Sequence, residues 1–178
     1  MSGGHAFSNQ DIETIKSAGN GVVIEIVTSK TVLRPMEGFD PAMAEDDLVA
    51  TGYVVADDET VVCSAAHNGR VAVMAVDAAF VEAIDAAAVK VGYTSPLLLG
   101  EDIDEGSYIA LYDDVLYVRV YKAGLCFAEA MTVAGDADIL FYLESLNRVY
   151  DIYNMYARAT GDIERLNRVC RKSLKLCV

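Results

Sequence analysis

The stretch Ser107–Asn154, SYIALYDDVLYVRVYKAGLCFAEAMTVAGDADILFYLESLNRVYDIYN, decides the fold. It reads as three strands, Ser107 to Tyr112, Val115 to Lys122 and Leu125 to Val133, rich in β-branched and aromatic residues. The pairs Asp113-Asp114 and Ala123-Gly124 are the turns between them. Ile139, Leu143, Leu146 and Tyr150 then recur every three to four residues, which predicts an amphipathic helix with Asp136, after Gly135, as its N-cap. A three-stranded meander buries only one face. A helix laid across it supplies the missing layer.

The unit extends downstream. Met155 to Thr160 reads as a fourth strand, and Gly161-Asp162 opens a final helix, Ile163 to Leu176. A helix between the third and fourth strands allows a parallel pairing reached by a right-handed crossover. The expected class is α/β with a mixed sheet, and strand, strand, strand, helix, strand, helix is the ribonuclease H-like order.

Four segments carry a resemblance: ALYDDVLYVRVYKAG (110–124), LCFAEAMTV (125–133), DADILFYLESL (136–146) and, upstream, TVLRPMEGFDPAMAEDDL (31–48). The strand and helix order of residues 107–176 resembles half of an actin-like ATPase fold, the architecture shared by actin, sugar kinases, heat-shock chaperones and pilus-assembly proteins, and the four segments carry the narrower likeness. More narrowly, the chain from Val22 to Val178 is similar to an uncharacterised bacterial family with that fold, which carries a comparable threonine, leucine, proline and Phe-Asp pattern. The resemblance implies two small related halves. Residues 1–100 are expected to form an incomplete actin-like half and residues 101–178 the ribonuclease H-like half.

Nucleotide binding in that fold uses glycine-containing hairpin turns, which let backbone amides approach phosphate. The corresponding turn here is Tyr112-Asp113-Asp114-Val115, with two carboxylates and no glycine, serine or threonine. Phe7 to Gly19 reads as a helix and Val22 to Val27 as the strand after it, so one of the two phosphate loops is expected to be missing. Were a nucleotide bound, Asp113 and Asp114 would be Mg²⁺ ligands, directly or through water. Gly161-Asp162, opening the last helix, could offer amides to an anion, although Asp162 has the wrong charge for one.

Composition bounds the rest. The 178 residues are 53% hydrophobic, enough to bury a core, and 14 Lys plus Arg against 27 Asp plus Glu give a net charge of -13. That field opposes binding to nucleic acid or to an anionic membrane. No run of about 18 apolar residues and no basic-then-apolar N-terminal segment is visible, so a cytoplasmic setting is expected. Cys63, Cys126, Cys170 and Cys177 form no CxxC pair and read as reduced and structural, with Cys126 facing a core. Cys63 and His67, four apart in a strand, lie about 13 Å from each other, too far for a catalytic pair.

In the N-terminal half, Asn9 to Gly19 is expected to be helical, with Ser8 or Asn9 as cap and Ile12 and Ile15 on one face, and Thr31 to Leu33 to be a strand ended by Pro35. Met36 to Pro41 reads as a turn, and Ala42 to Ala50 as a short helix with Glu45, Asp46 and Asp47 in solvent. Asn68-Gly69, between VVCSAAH and RVAVMAV, predicts a type I′ hairpin. Asp77 then caps a helix, Ala78 to Val89, which favours a cap over a metal-binding or catalytic carboxylate. Ser95-Pro96 opens one short helical turn. EDIDEG (101–106) departs from a calcium loop in its glycine position and in leading into a strand, so it reads as a solvated turn.

On the last helix, Arg165, Arg168, Arg171, Lys172 and Lys175 form a basic cluster, read as favourable at a helix C-terminus and as pairing with the acidic body. Its sharper reading is a docking face for an acidic partner or a second copy. Tyr142, Tyr150, Tyr153 and Tyr156, among 10 tyrosines, suit a core edge or an interface. Three functions remain open: a non-catalytic interaction or scaffold protein with a degenerate actin-like fold and no cofactor; an ATPase or kinase-like protein using ATP with Mg²⁺; and a small-molecule binding module in the crevice between the halves. The first is the leading expectation, with a protein partner or self-association.

Overall fold

Alternation along one central strand organises the N-terminal unit. A computed structural model of the chain describes residues 9–18, 21–170 and 174–177. It divides into two compact units, Met1–Leu98 and Leu99–Val178. The first contains α1 (Asn9–Ala18), β1 (Val22–Glu25), β2 (Thr31–Pro35), α2 (Ala44–Ala50), β3 (Glu59–Cys63), β4 (Arg70–Asp77), α3 (Ala78–Ala86) and β5 (Val91–Thr94). Antiparallel pairing gives the order β2-β4-β3, and β1 pairs with β5 in parallel. Successive residues of β4 face opposite ways. Ala72, Met74 and Val76 pack with Phe80 and Ile84 of α3, whereas Val73 and Ala75 pack with Ala44 and Leu48 of α2.

Local chemistry sets the boundaries. Asn68 (φ 47°) and Gly69 (φ 69°) both adopt positive φ at the tip of the β3–β4 hairpin, as a type I′ turn requires. The Asp77 carboxylate accepts from the amides of Ala79 (2.7 Å) and Phe80 (3.3 Å), so it is a cap. Asp40 caps a 3₁₀ turn, Pro41–Met43, that leads into α2, so the α-helix proper begins later than the periodicity predicts. Pro35 ends β2 on the sheet's edge. Ala75 donates to Lys30 and Met36 to Gly69, which turns the amides of Val32 and Arg34 towards β4 and leaves Pro35, which has no amide hydrogen, on the outward side. The expected helix to Val89 ends at Ala86, and β5 lies in a segment read as connection. The caps Ser8 and the side chain of Ile12 fall outside the described residues.

The C-terminal unit contains β6 (Glu105–Tyr112), β7 (Val115–Lys122), β8 (Leu125–Thr132), α4 (Asp136–Tyr150), β9 (Tyr156–Gly161), α5 (Ile163–Cys170) and β10 (Lys175–Cys177). Its sheet has the order β10-β9-β6-β7-β8, with β7 antiparallel to both neighbours and β6, β9 and β10 parallel. This is the expected meander, crossover helix and parallel fourth strand. One difference matters: the predicted helix to Leu176 stops at Cys170, and Lys175–Cys177 adds a fifth strand beside β9. Three residues carry too little pattern to oppose a helical period, and only the pairing with β9 reveals them as strand.

One face of this sheet holds the core. Ile109, Leu111, Leu116, Val118 and Val120 pack against Ile139, Leu143 and Leu146 of α4 and Leu166 and Cys170 of α5. Tyr142, Tyr150 and Tyr153 border that core, whereas Tyr156 is 73% exposed. Cys126 is exposed, since β8 is the edge strand, and its Sγ lies 3.6 Å from the carbonyls of Lys122 and Gly124. Cys170 is buried, which raises its thiol pKa to about 11, and burial, with Asp47 nearby, also raises Cys63. The side chains of Cys177 and Lys175, and residues Arg171 and Lys172, lie outside the described residues.

The other face holds a cation. Arg119, only 4% exposed, lies 4.4 Å from the Tyr108 ring centre and 5.7 Å from that of Tyr121. It donates to the Tyr121 hydroxyl (3.0 Å) and to the Leu99 carbonyl. Tyr121 in turn donates to Asp102 (2.9 Å), and Tyr108 to the Glu101 carbonyl (2.8 Å). The segment leading into β6 is thereby tied to the sheet. Arg119→Met should cost about 2–3 kcal/mol, because it leaves a partly buried carbonyl and a buried tyrosine hydroxyl without a charged donor. Urea denaturation checks this, with the midpoint lowered and the slope unchanged.

Candidate functional site

The carboxyl ends of β6, β8 and β9 fall at one end of the C-terminal sheet, since these strands run the same way. Ligands of open α/β sheets bind outside such ends. Three segments converge there: Asp113-Asp114 after β6, Gly135-Asp136 after β8 and Gly161-Asp162 at the end of β9. The sequence singled out Asp113, Asp114 and Gly161, and the fold brings all three to this edge.

Each sits there for a backbone reason. Asp113 has φ 51°, a conformation aspartate tolerates better than most residues, in the tight β6–β7 turn. The Asp114 carbonyl accepts from the Val133 amide (2.7 Å), which holds the turn to the end of β8. Gly161 pairs in register with Leu111, and the Asp162 amide donates to the Leu111 carbonyl (2.7 Å). At Gly161 φ is +76°, and a Cβ would lie 2.1 Å from the Leu111 oxygen. Only glycine fits. The Asp162 carboxylate accepts from the Arg165 amide (2.9 Å) at the start of α5, so neither group of Asp162 is offered to an anion.

The charge balance was less legible. Arg165 Nε lies 2.7 Å from one Asp136 oxygen and Arg168 Nη2 3.4 Å from the other, and Arg165 also reaches the Asp113 carbonyl at 3.4 Å. Gly135, in extended conformation, occupies the N-cap position of α4, which frees the Asp136 side chain for the arginines. Arg165 stands in the first turn of α5, where a cation opposes the helix dipole, so the expected C-terminal placement does not apply to it. Asp136 supplies the compensation. The hydrogen bond from Arg165, with the charges of Arg165 and Arg168, holds the Asp136 carboxyl below its ordinary 3.8 against a desolvation effect of opposite sign. The three-residue spacing of Arg165 and Arg168 was the available signal, but their partner is 29 residues from Arg165 in sequence.

The donor set does not fit a phosphate. The turn presents two carboxylates, it lacks glycine, serine and threonine, and two nearby guanidinium groups converge on a third carboxylate. Among the described residues there is also no group of three or more His, Cys, Asp or Glu able to hold a metal ion.

The fold defines the class. A protein of unknown function from Bacteroides thetaiotaomicron with an actin-like ATPase fold superimposes with a TM-score of 0.66 at 16% identity, over 88% of this chain and 66% of that one. The chain has the actin-like ATPase fold inferred from its strand order, and it spans just under two thirds of that neighbour's length. The cytoplasmic domain of EpsL, an inner-membrane component of the type II secretion system of Vibrio cholerae, matches more loosely, with a TM-score of 0.47 at 15% identity over 92% of this chain and 80% of that one. No family model matches the sequence, and no curated protein does.

Two outcomes follow. Gly161→Ala should destabilise the protein by at least about 2 kcal/mol, through strain and collision with the Leu111 carbonyl, in a thermal or urea melt. Asp136→Asn should lower stability at neutral pH. A depressed carboxyl contributes stability above its ordinary pKa and loses it as pH falls through the folded value, so wild-type and variant melting temperatures should converge as the pH is lowered through and below the ordinary carboxylate range.

Proposed function

We propose that this chain is a non-catalytic interaction or scaffold protein built on an actin-like fold whose phosphate turn has degenerated. The observation that carries the reading is the β6–β7 turn, where Asp113 and Asp114 stand in place of the glycine and hydroxyl through which the fold admits phosphate. The two arginines at the same edge add support, since both engage Asp136. The partner is a protein or a second copy. Among the described residues no helix is long and apolar enough to cross a membrane. The free thiols Cys63, Cys126 and Cys170 suit a reducing compartment, which supports a cytoplasmic setting.

The competing reading is an ATPase or kinase-like protein with Asp113 and Asp114 on Mg²⁺. It draws support from their position outside the carboxyl end of β6. A thermal-shift titration with ATP, ADP and GTP, each with and without Mg²⁺, separates the two. The scaffold reading expects no shift at millimolar nucleotide. It also expects Asp113→Asn with Asp114→Gly to change stability by less than about 1 kcal/mol and to leave association intact. A saturable Mg²⁺-dependent rise, which would amount to about 2.7 kcal/mol at a hundredfold excess over Kd, would overturn it.

A further inference from the structure

Helix α4 has two unlike faces. Ile139, Leu143 and Leu146 are buried in the core. On the opposite side Phe141 is 65% exposed and Val149 71% exposed, with Ser145 midway between them. Residues 141, 145 and 149 are spaced by four, so they form one ridge along the helix. Glu144 and Arg148, both exposed, flank that ridge on one side. They stand four apart in the orientation that favours a pair within the helix, yet among the ion pairs of the described residues none joins them.

This ridge is symmetric about its own centre. Phe141 and Val149 lie about 6 Å either side of Ser145 along the axis, at about 1.5 Å per residue. A two-fold axis through Ser145, perpendicular to two antiparallel helices, sets Phe141 of one copy on Val149 of the other. The same rotation keeps the charged flank of each helix on the same side of the pair. Glu144 of each copy then meets Arg148 of the other, and the small Ser145 side chains meet at the axis and allow close approach. A two-fold contact must be self-complementary, and this ridge is so in shape, in apolar content and in charge.

We propose that α4 pairs antiparallel with α4 of a second copy of this chain, through Phe141, Glu144, Ser145, Arg148 and Val149. The proposal rests on the interaction reading given above and names its partner. A crossing of two helices this short buries less than the roughly 1,200 Å² at which standard interfaces begin, so the dimer is weak and concentration-dependent.

Sedimentation equilibrium of the full chain from micromolar to near-millimolar concentration tests it. The expected result is a reversible monomer–dimer equilibrium that Glu144→Arg weakens at least tenfold by setting like charges together. Glu144→Arg combined with Arg148→Glu should restore it. Both positions are exposed, so the melting temperatures of the variants should stay close to wild type. Rescue by the double exchange is an outcome that mere surface disturbance does not produce. A dimer indifferent to Glu144→Arg, or one that the double exchange fails to restore, overturns the α4 site and leaves the interaction reading standing with another surface or partner. A chain that stays monomeric throughout also overturns the α4 pairing, whereas the interaction reading itself falls on nucleotide-dependent stabilisation.

Discussion

The C-terminal unit depends on how closely β9 approaches the end of β6. At Gly161 and Leu111 two backbones meet with no room for a side chain, and the next amide, that of Asp162, closes onto the Leu111 carbonyl. This closure ends the parallel ladder and fixes where α5 begins. It sets Arg165 within reach of both Asp136 and the β6–β7 turn. The polar arrangement at the carboxyl ends of the strands is therefore a consequence of a steric limit at one glycine.

The opposite face follows a different rule. β7 is buried along both faces, so a charge placed on it must be satisfied from within. Arg119 meets this demand with two tyrosine rings, a tyrosine hydroxyl and a carbonyl from the segment that enters β6. The flat guanidinium group suits this use, since it stacks and donates in a fixed fork, which an ammonium group does not.

What the sequence displays openly is what is local. The three-strand meander from Ser107 to Val133, the period of Ile139, Leu143 and Leu146, and the Asn68-Gly69 turn all depend on neighbours a few residues apart. Strand β5, VGYT, and strand β10, KLC, depend on parallel partners far away in sequence, and neither has a residue pattern of its own strong enough to announce it. The site divides the same way. Asp113, Asp114 and Gly161 stand out in the sequence as turn residues, but the pairing of Asp136 with Arg165 exists only once two helices have been brought together. Cys126 shows the limit of alternation, because a strand at the edge of a sheet does not bury its residues as a central one does.

Pro35 bears on behaviour in crowded solution. β2 is an edge strand of its three-stranded sheet, and its outward amide positions are those of Thr31, which bonds to the Ser29 carbonyl, Leu33 and Pro35; such an edge is where another extended chain could add. A missing hydrogen at the outward position interrupts that edge after a few residues, so a ladder begun there has no regular donor with which to continue. The chain thus carries its own guard against fibrous assembly on that side, at a position where the β4 ladder loses nothing by the substitution of an imino acid.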